Sequence, residues 1–155
     1  MEGNIYIYID NSNLWIQGRK THAAALNLHT EDDPTWRFDA GILKSILLQK
    51  CRIETEPNQK NVHTYLYGST PPPVDTVWEA FGHRNVKVKT FERNHHSGRE
   101  KKVDTQLVTD AVNDAADAAI LRVDSEFVIV SGDSDIRTAV MSIADKRKFP
   151  VHVWS

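Results

Sequence analysis

The chain has 155 residues, a formal net charge of −2 at neutral pH and 40% hydrophobic residues. That length suits a single domain over residues 1–155 with a core of its own, and the composition excludes a disordered chain. No apolar run approaches the ~20 residues that span a bilayer, which argues against a membrane protein, and Cys51 as the single cysteine excludes an internal disulfide and a cysteine-rich zinc site.

The N-terminal stretch MEGNIYIYIDNSN lacks a charged leader and a cleavage site, so it does not read as a signal peptide, and a cytoplasmic location is the simplest expectation. Residues 4–9 are β-branched and aromatic and predict a buried strand ending at Asp10. Asn11, Ser12 and Asn13 are capping residues ahead of a short helix at Leu14-Trp15-Ile16. Residues 21–38 are polar and include Asp33-Pro34, which predicts an irregular insertion or long loop. Asp39 can cap a helix through Gly41–Leu48, and residues 51–60 read as a polar loop.

Val62–Gly68 predicts a second strand, and Pro71-Pro72-Pro73 a stiff connector into a helix from about Val74 to Gly82. Val86–Phe91 alternates apolar and polar residues as a half-exposed strand does. Residues 92–102 read as a charged loop, and Asp104 to about Ile120 as a helix with Val103, Leu107, Val108, Ala111, Val112 and Ala115 on its apolar face. Glu126–Ser131 is a further buried strand; Gly132-Asp133-Ser134-Asp135 opens a helix to about Arg147, and Val151–Trp154 is the last strand. Strands alternating with helices in this way predict an α/β fold: a mostly parallel five-stranded sheet between two helical layers.

Two acids, Asp10 and Asp133, lie just beyond the C-terminal ends of apolar strands. In open α/β sheets the carboxyl ends of the strands, at the point where strand order reverses, are where ligands bind. Asp104 follows a strand and a loop and is expected back at the same edge, with Asp135 two residues beyond Asp133. Carboxylates gathered in this way raise one another's pKa, and a divalent cation relieves the repulsion. An all-oxygen donor set suits Mg²⁺ or Mn²⁺ better than Zn²⁺, and such a cation can activate water against a phosphodiester. Each acid also has a plainer role: Asp104 and Asp133 are good helix N-caps, and Asp135 suits the positive end of a helix. Asp10 is harder to explain as a cap, because a charge closing a continuous apolar strand needs a partner. Asp110 lies on a different helical face from Asp104 and reads as a solvated acid or a support for a neighbouring lysine, while Asp114 and Asp117 read as solvated.

Three segments carry a resemblance to a known family: Ile7-Tyr8-Ile9-Asp10-Asn11-Ser12-Asn13-Leu14, Lys101 to Val112, and Val128 to Ile136. In order and spacing they resemble NYN-domain proteins of the LabA-like branch of the PIN-like nuclease superfamily. The resemblance implies a Rossmann-like, PIN-type three-layer sandwich, dependence on Mg²⁺ or Mn²⁺, and RNA as the substrate class. Carried over by position, the catalytic and metal-holding acids are Asp10, Asp104, Asp133 and Asp135, with Asn13 the asparagine that follows the first acid and Asp110 the second, supporting, helical acid. Asn11 stands where the family commonly has glycine.

The acids sit beside a basic segment in which Arg84, Lys87, Lys89, Arg93, Arg99, Lys101 and Lys102 face only Glu92 and Glu100. Arg93, Arg99, Lys101 and Lys102 are candidates for phosphate contact, joined by Ser12 and Asn13, although solvated surface explains any one of these cations equally well. His95 and His96 read as exposed loop. Trp15, Trp36, Tyr67 and Trp78 can stack on bases, but packing in the core is the commoner use of aromatics. Exposed strand edges leave a homo-oligomer open. The rivals are an NYN-type domain that binds RNA or protein without turnover, a haloacid-dehalogenase-like phosphatase, which wants an acid where Ser12 stands, and a metal-dependent adhesion site, which wants serine where Leu14 stands.

Overall fold

The computed structural model describes residues 3–27, 40–51, 60–70, 86–92 and 100–155. Strand β1 spans Gly3–Asp10, β2 Lys60–Thr70, β3 Val86–Glu92, β4 Ser125–Val130 and β5 Val151–Trp154. They form one sheet in the order β3-β2-β1-β4-β5 with every pairing parallel. The chain steps outward from β1 to β2 and β3, then returns to place β4 on the other side of β1. Strand order therefore reverses between β1 and β4.

Alternation along the strands builds two cores. Ile5, Ile7 and Ile9 of β1 share one face with Leu66, Val86, Val128 and Val130, under helices α1 (Asn11–Ala25) and α2 (Ala40–Lys50), which contribute Leu14, Leu43 and Leu47. Tyr8, Tyr67, Phe127 and Ile129 share the other face with Val103, Leu107, Ala111 and Ala115 of α3 (Glu100–Leu121). Ile136 and Ile143 extend this second core from a helical segment made of a 3₁₀ turn Ser134–Ile136, α4 (Arg137–Met141) and a π turn Ser142–Lys146. The result is the expected three-layer sandwich, all-parallel rather than mostly so. β3 and β5 are its edges, and the alternating pattern of Val86–Phe91 suits an edge strand covered less than β1.

Several boundaries differ from the sequence-based expectation. The first helix is not confined to residues 14–16: it starts at Asn11 and runs to Ala25. Residues 21–25 are therefore helical rather than irregular; Ala23, Ala24 and Ala25 are strong helix formers, and Ala23 is buried. The helix stops at Asn27, which takes a left-handed conformation (φ 51°) that asparagine tolerates at such an end. Asp104 does not start its helix, since α3 begins at Glu100 and carries Asp104 into its second turn. The helix expected over 74–82 and most of the loops expected at 21–38, 51–60 and 92–102 lie outside the described residues.

Candidate metal centre

The strand register builds the site. Ile9 of β1 pairs with Val130 of β4, so the next residues, Asp10 and Ser131, meet at the carboxyl edge where strand order reverses. Asp10 is 4% exposed and Ser131 3%. A carboxylate buried to this degree requires hydrogen bonds. The Ser131 hydroxyl donates to Asp10 Oδ2 at 3.1 Å and accepts the backbone N–H of Asp133 at 3.2 Å. One serine thus ties the acid ending β1 to the turn that follows β4.

That turn presents the next two acids. Asp133 has extended backbone (φ −79°, ψ 132°) and its Oδ1 accepts the N–H of Asp135 at 2.8 Å, capping the 3₁₀ turn. Capping does not remove Asp133 from the cluster. Asp104, Asp133 and Asp135 each bring one carboxylate oxygen into a group whose members lie within 4.8 Å of one another. Asp133 is half-buried and Asp135 exposed. The α3 period sets Asp104 on the flank of the buried stripe that faces this turn, and Asp104 is only 9% exposed.

The electrostatic consequence falls on Asp104. Burial, followed by hydrogen bonding to Asp133 and the negative charges of Asp10 and Asp133, pushes its pKa up to about 7. The donor set fits a hard divalent cation: carboxylate oxygens of Asp133 and Asp135 from the turn and of Asp104 from the helix lie close enough to share one ion, with Asp10 at the strand end beside them.

A second group of acids lies on the opposite flank of α3 and is built differently. Asp110 accepts hydrogen bonds from Lys89 Nζ at 2.6 Å, the Tyr67 hydroxyl at 2.7 Å and Gln106 Nε2 at 2.8 Å. Its partial burial raises the pKa, but these three donors outweigh that and hold it below the usual carboxylate range. Asp110 is thus the support for a lysine that the sequence suggested. Asp114 is a correction: it is half-buried rather than solvated and accepts the Tyr8 hydroxyl at 2.5 Å, while Asp117 is exposed as expected. Burial and the neighbouring carboxylates raise the pKa values of Tyr8 and Tyr67 far above the ordinary tyrosine value. Tyr67 is fully buried, so it is not a platform for bases.

The structure thus brings Asp10, Asp104, Asp133 and Asp135 to one edge and puts Asp110 elsewhere. Lys101 and Lys102 lie on α3 just ahead of Asp104, with side chains outside the described set, as are those of Ser12, Asn13 and Trp15. Arg93, Arg99, His95, His96, Trp36 and Trp78 lie outside the described residues. Ser131 is a site residue that the motifs of the sequence do not single out. Its signal was available: a polar residue closing the apolar run Phe127–Val130, next to the site of Asp10.

An α/β sandwich with a carboxylate cluster at its strand-order reversal defines a class of domain suited to metal-assisted chemistry on phosphates. The sequence profile of the NYN domain matches residues 4–155, so the chain belongs to the NYN domain family, within the PIN-like nuclease superfamily. A crystal structure of a protein of unknown function from Vibrio parahaemolyticus is similar, with a TM-score of 0.59 and 20% identity, covering 98% of this chain and 80% of that one. At that identity the likeness bears on the fold alone. Comparison with curated proteins finds no match. No helix among the described residues is long and apolar enough to cross a membrane.

Proposed function

We propose that this chain is a metal-dependent ribonuclease of the LabA-like branch, hydrolysing RNA phosphodiester bonds in the cytoplasm. The observation that carries this reading is the convergence of Asp104, Asp133 and Asp135 within 4.8 Å of one another, beside the buried Asp10. Those four acids would hold Mg²⁺ or Mn²⁺. Such a cation supplies a more acidic bound water and a counter-charge for the phosphate.

The chain's own residues then have separable tasks. Ser131 fixes the Asp10 carboxylate through its hydroxyl and fixes the Asp133 backbone through its oxygen, so that two acids from different strands keep one relative position. Asp133 in turn orients Asp135 through the cap bond. Asp104 enters from α3, so the packing of that helix on Tyr8, Phe127 and Ile129 sets the fourth position. Ser12 and Asn13, one helical turn from Asp10, together with Arg93, Arg99, Lys101 and Lys102, are our candidates for contact with phosphates flanking the cleaved bond. Overall, water adds to phosphorus and the bond to the leaving sugar oxygen breaks.

The test is incubation of the purified protein with end-labelled single-stranded RNA and Mn²⁺, beside Asp10→Asn and Asp133→Asn variants. Cleavage by the wild type that disappears in both variants and on chelation is the expected result. Cleavage undiminished in both would overturn the assignment, and binding without cleavage would favour an NYN domain that recognises RNA without turnover.

A further inference from the structure

Beside the acid cluster, α3 and the start of α4 border an open hollow of about 310 Å³ lined by Asp104, Thr105, Val108, Thr109, Asp135 and Thr138. Residues 104, 105, 108 and 109 form one flank of α3 by helical period, and 135 and 138 face them from the following helical segment. The hollow shares Asp104 and Asp135 with the cluster, so whatever occupies it lies against the proposed reaction centre.

Its lining restricts the occupant. Away from the ion that Asp104 and Asp135 would hold, the described lining offers hydroxyls and methyls rather than cations, which favours a neutral group over a second phosphate. Three threonines supply hydroxyls and methyls, and Val108 supplies an apolar wall. The Thr109 hydroxyl donates to the Thr105 carbonyl at 2.7 Å, which commits its proton and leaves its oxygen to accept. The walls are therefore rich in acceptors with apolar surface between them. That pattern fits a neutral, partly apolar group bearing N–H and O–H donors. Its volume lies at the lower end of the roughly 300–1,000 Å³ typical of small-molecule pockets, enough for one planar ring with its sugar.

We propose that this hollow between α3 and α4 is a nucleoside subsite, holding the base and ribose of one RNA nucleotide next to the cleaved phosphate, with Thr105, Thr109, Thr138 and Asp135 as acceptors. The inference rests on the ribonuclease reading for its substrate class. It adds that the nucleotide's neutral part seats here while its phosphate points to the cluster. Thr105 and Thr138 are exposed, so changing them does not open the core.

The probe is a fluorescein-labelled four-nucleotide RNA of mixed sequence, followed by anisotropy with Ca²⁺ in place of Mn²⁺. Thr138→Trp fills the hollow, Thr138→Val and Thr105→Val remove hydroxyls at constant shape, and Asp133→Asn alters the cluster without touching the lining. Circular dichroism melting of each variant reports folding. Thr138→Trp is expected to weaken binding by about tenfold or more, and each valine variant by about threefold, on the scale where 1.4 kcal/mol is tenfold. Inorganic phosphate at millimolar concentration is expected not to restore or mimic these losses. Affinity unchanged in a folded Thr138→Trp overturns the subsite, even if the enzyme cuts RNA. Wild type that binds the oligonucleotide through this hollow yet never cuts RNA overturns the ribonuclease reading and leaves the subsite standing. Wild type that does not bind it at all overturns both.

Discussion

Helix α3 carries two acids six residues apart whose surroundings push them in opposite directions. Asp110 meets a lysine, a tyrosine hydroxyl and a glutamine amide, and is held below the usual carboxylate range. Asp104 meets other carboxylates and is pushed up to about 7. Both are substantially buried, so desolvation alone does not separate them; partners do. The protein satisfies Asp110 from its own side chains. At Asp104 it concentrates charge of one sign, an arrangement that a divalent cation completes. The contrast distinguishes an acid that holds the fold together from one that the fold holds ready for a ligand.

Mutation of the two acids should separate these roles most widely in catalysis. With Mn²⁺ present, Asp104→Asn is expected to lower RNA cleavage by about 100-fold or more, the order seen when one electrostatic contributor to a transition state is removed. Asp110→Asn is expected to act on stability instead. Equal losses of cleavage at matched folded fraction would erase the distinction.

Stability should invert the order. Asp110→Ala leaves Lys89 and Tyr67 without their acceptor and should cost about 1–3 kcal/mol in denaturant unfolding. Asp104→Asn removes a repelled charge and should raise the melting temperature of the metal-free protein at pH 8. The pH dependence sharpens this. Because the Asp110 pKa is lowered in the folded state, its contribution is present above the unfolded carboxylate pKa and is lost as pH falls through the lower folded value. The stability gap between wild type and Asp110→Asn should therefore be constant near neutrality and close below about pH 4. A gap that widens on acidification would contradict the pairing.

Ser131→Ala probes the link between the two strand ends. Removing the hydroxyl frees Asp10 and the Asp133 N–H from their shared partner, and metal affinity should fall by about 10- to 100-fold, as for other groups that orient ligands. The smallest effect belongs to the far end of α3, away from both acids. There Arg122 adopts a left-handed conformation (φ 56°) while Val123 N–H returns to the Ala118 carbonyl at 3.0 Å. Arg122→Gly should stabilise the protein by about 0.5–1 kcal/mol in denaturant unfolding, with cleavage unchanged.

What could be read from sequence follows from how local each signal is. Asp10 is legible because a charge closing an apolar run is anomalous within a window of a few residues, and Asp133 because it lies just beyond the end of another such run. The parallel sheet was legible for a similar reason, since each strand and helix announces its own period. Asp104 was expected at a helix start because Lys101 and Lys102 read as loop; its second-turn position depends on where the helix begins, and propensity marks helix ends poorly. Asp114 reads as a solvated acid from sequence because its partner, Tyr8, lies 106 residues away. Ser131 carries a local signal as a polar residue closing an apolar run, but its bond to Asp10 exists only once β1 and β4 are in register.

Binding of a divalent cation by the acid cluster is tested most directly by the melting temperature of wild type and Asp104→Asn with and without Mn²⁺ at pH 7.5. At about 100 times the dissociation constant, binding adds about 2.7 kcal/mol, which for a domain of this size is a rise of roughly 5–10 °C in the wild type. Asp104→Asn should melt higher than wild type without metal and gain far less on its addition. A wild-type melting temperature that does not respond to Mn²⁺ or Mg²⁺, or an equal response in the variant, would contradict the account.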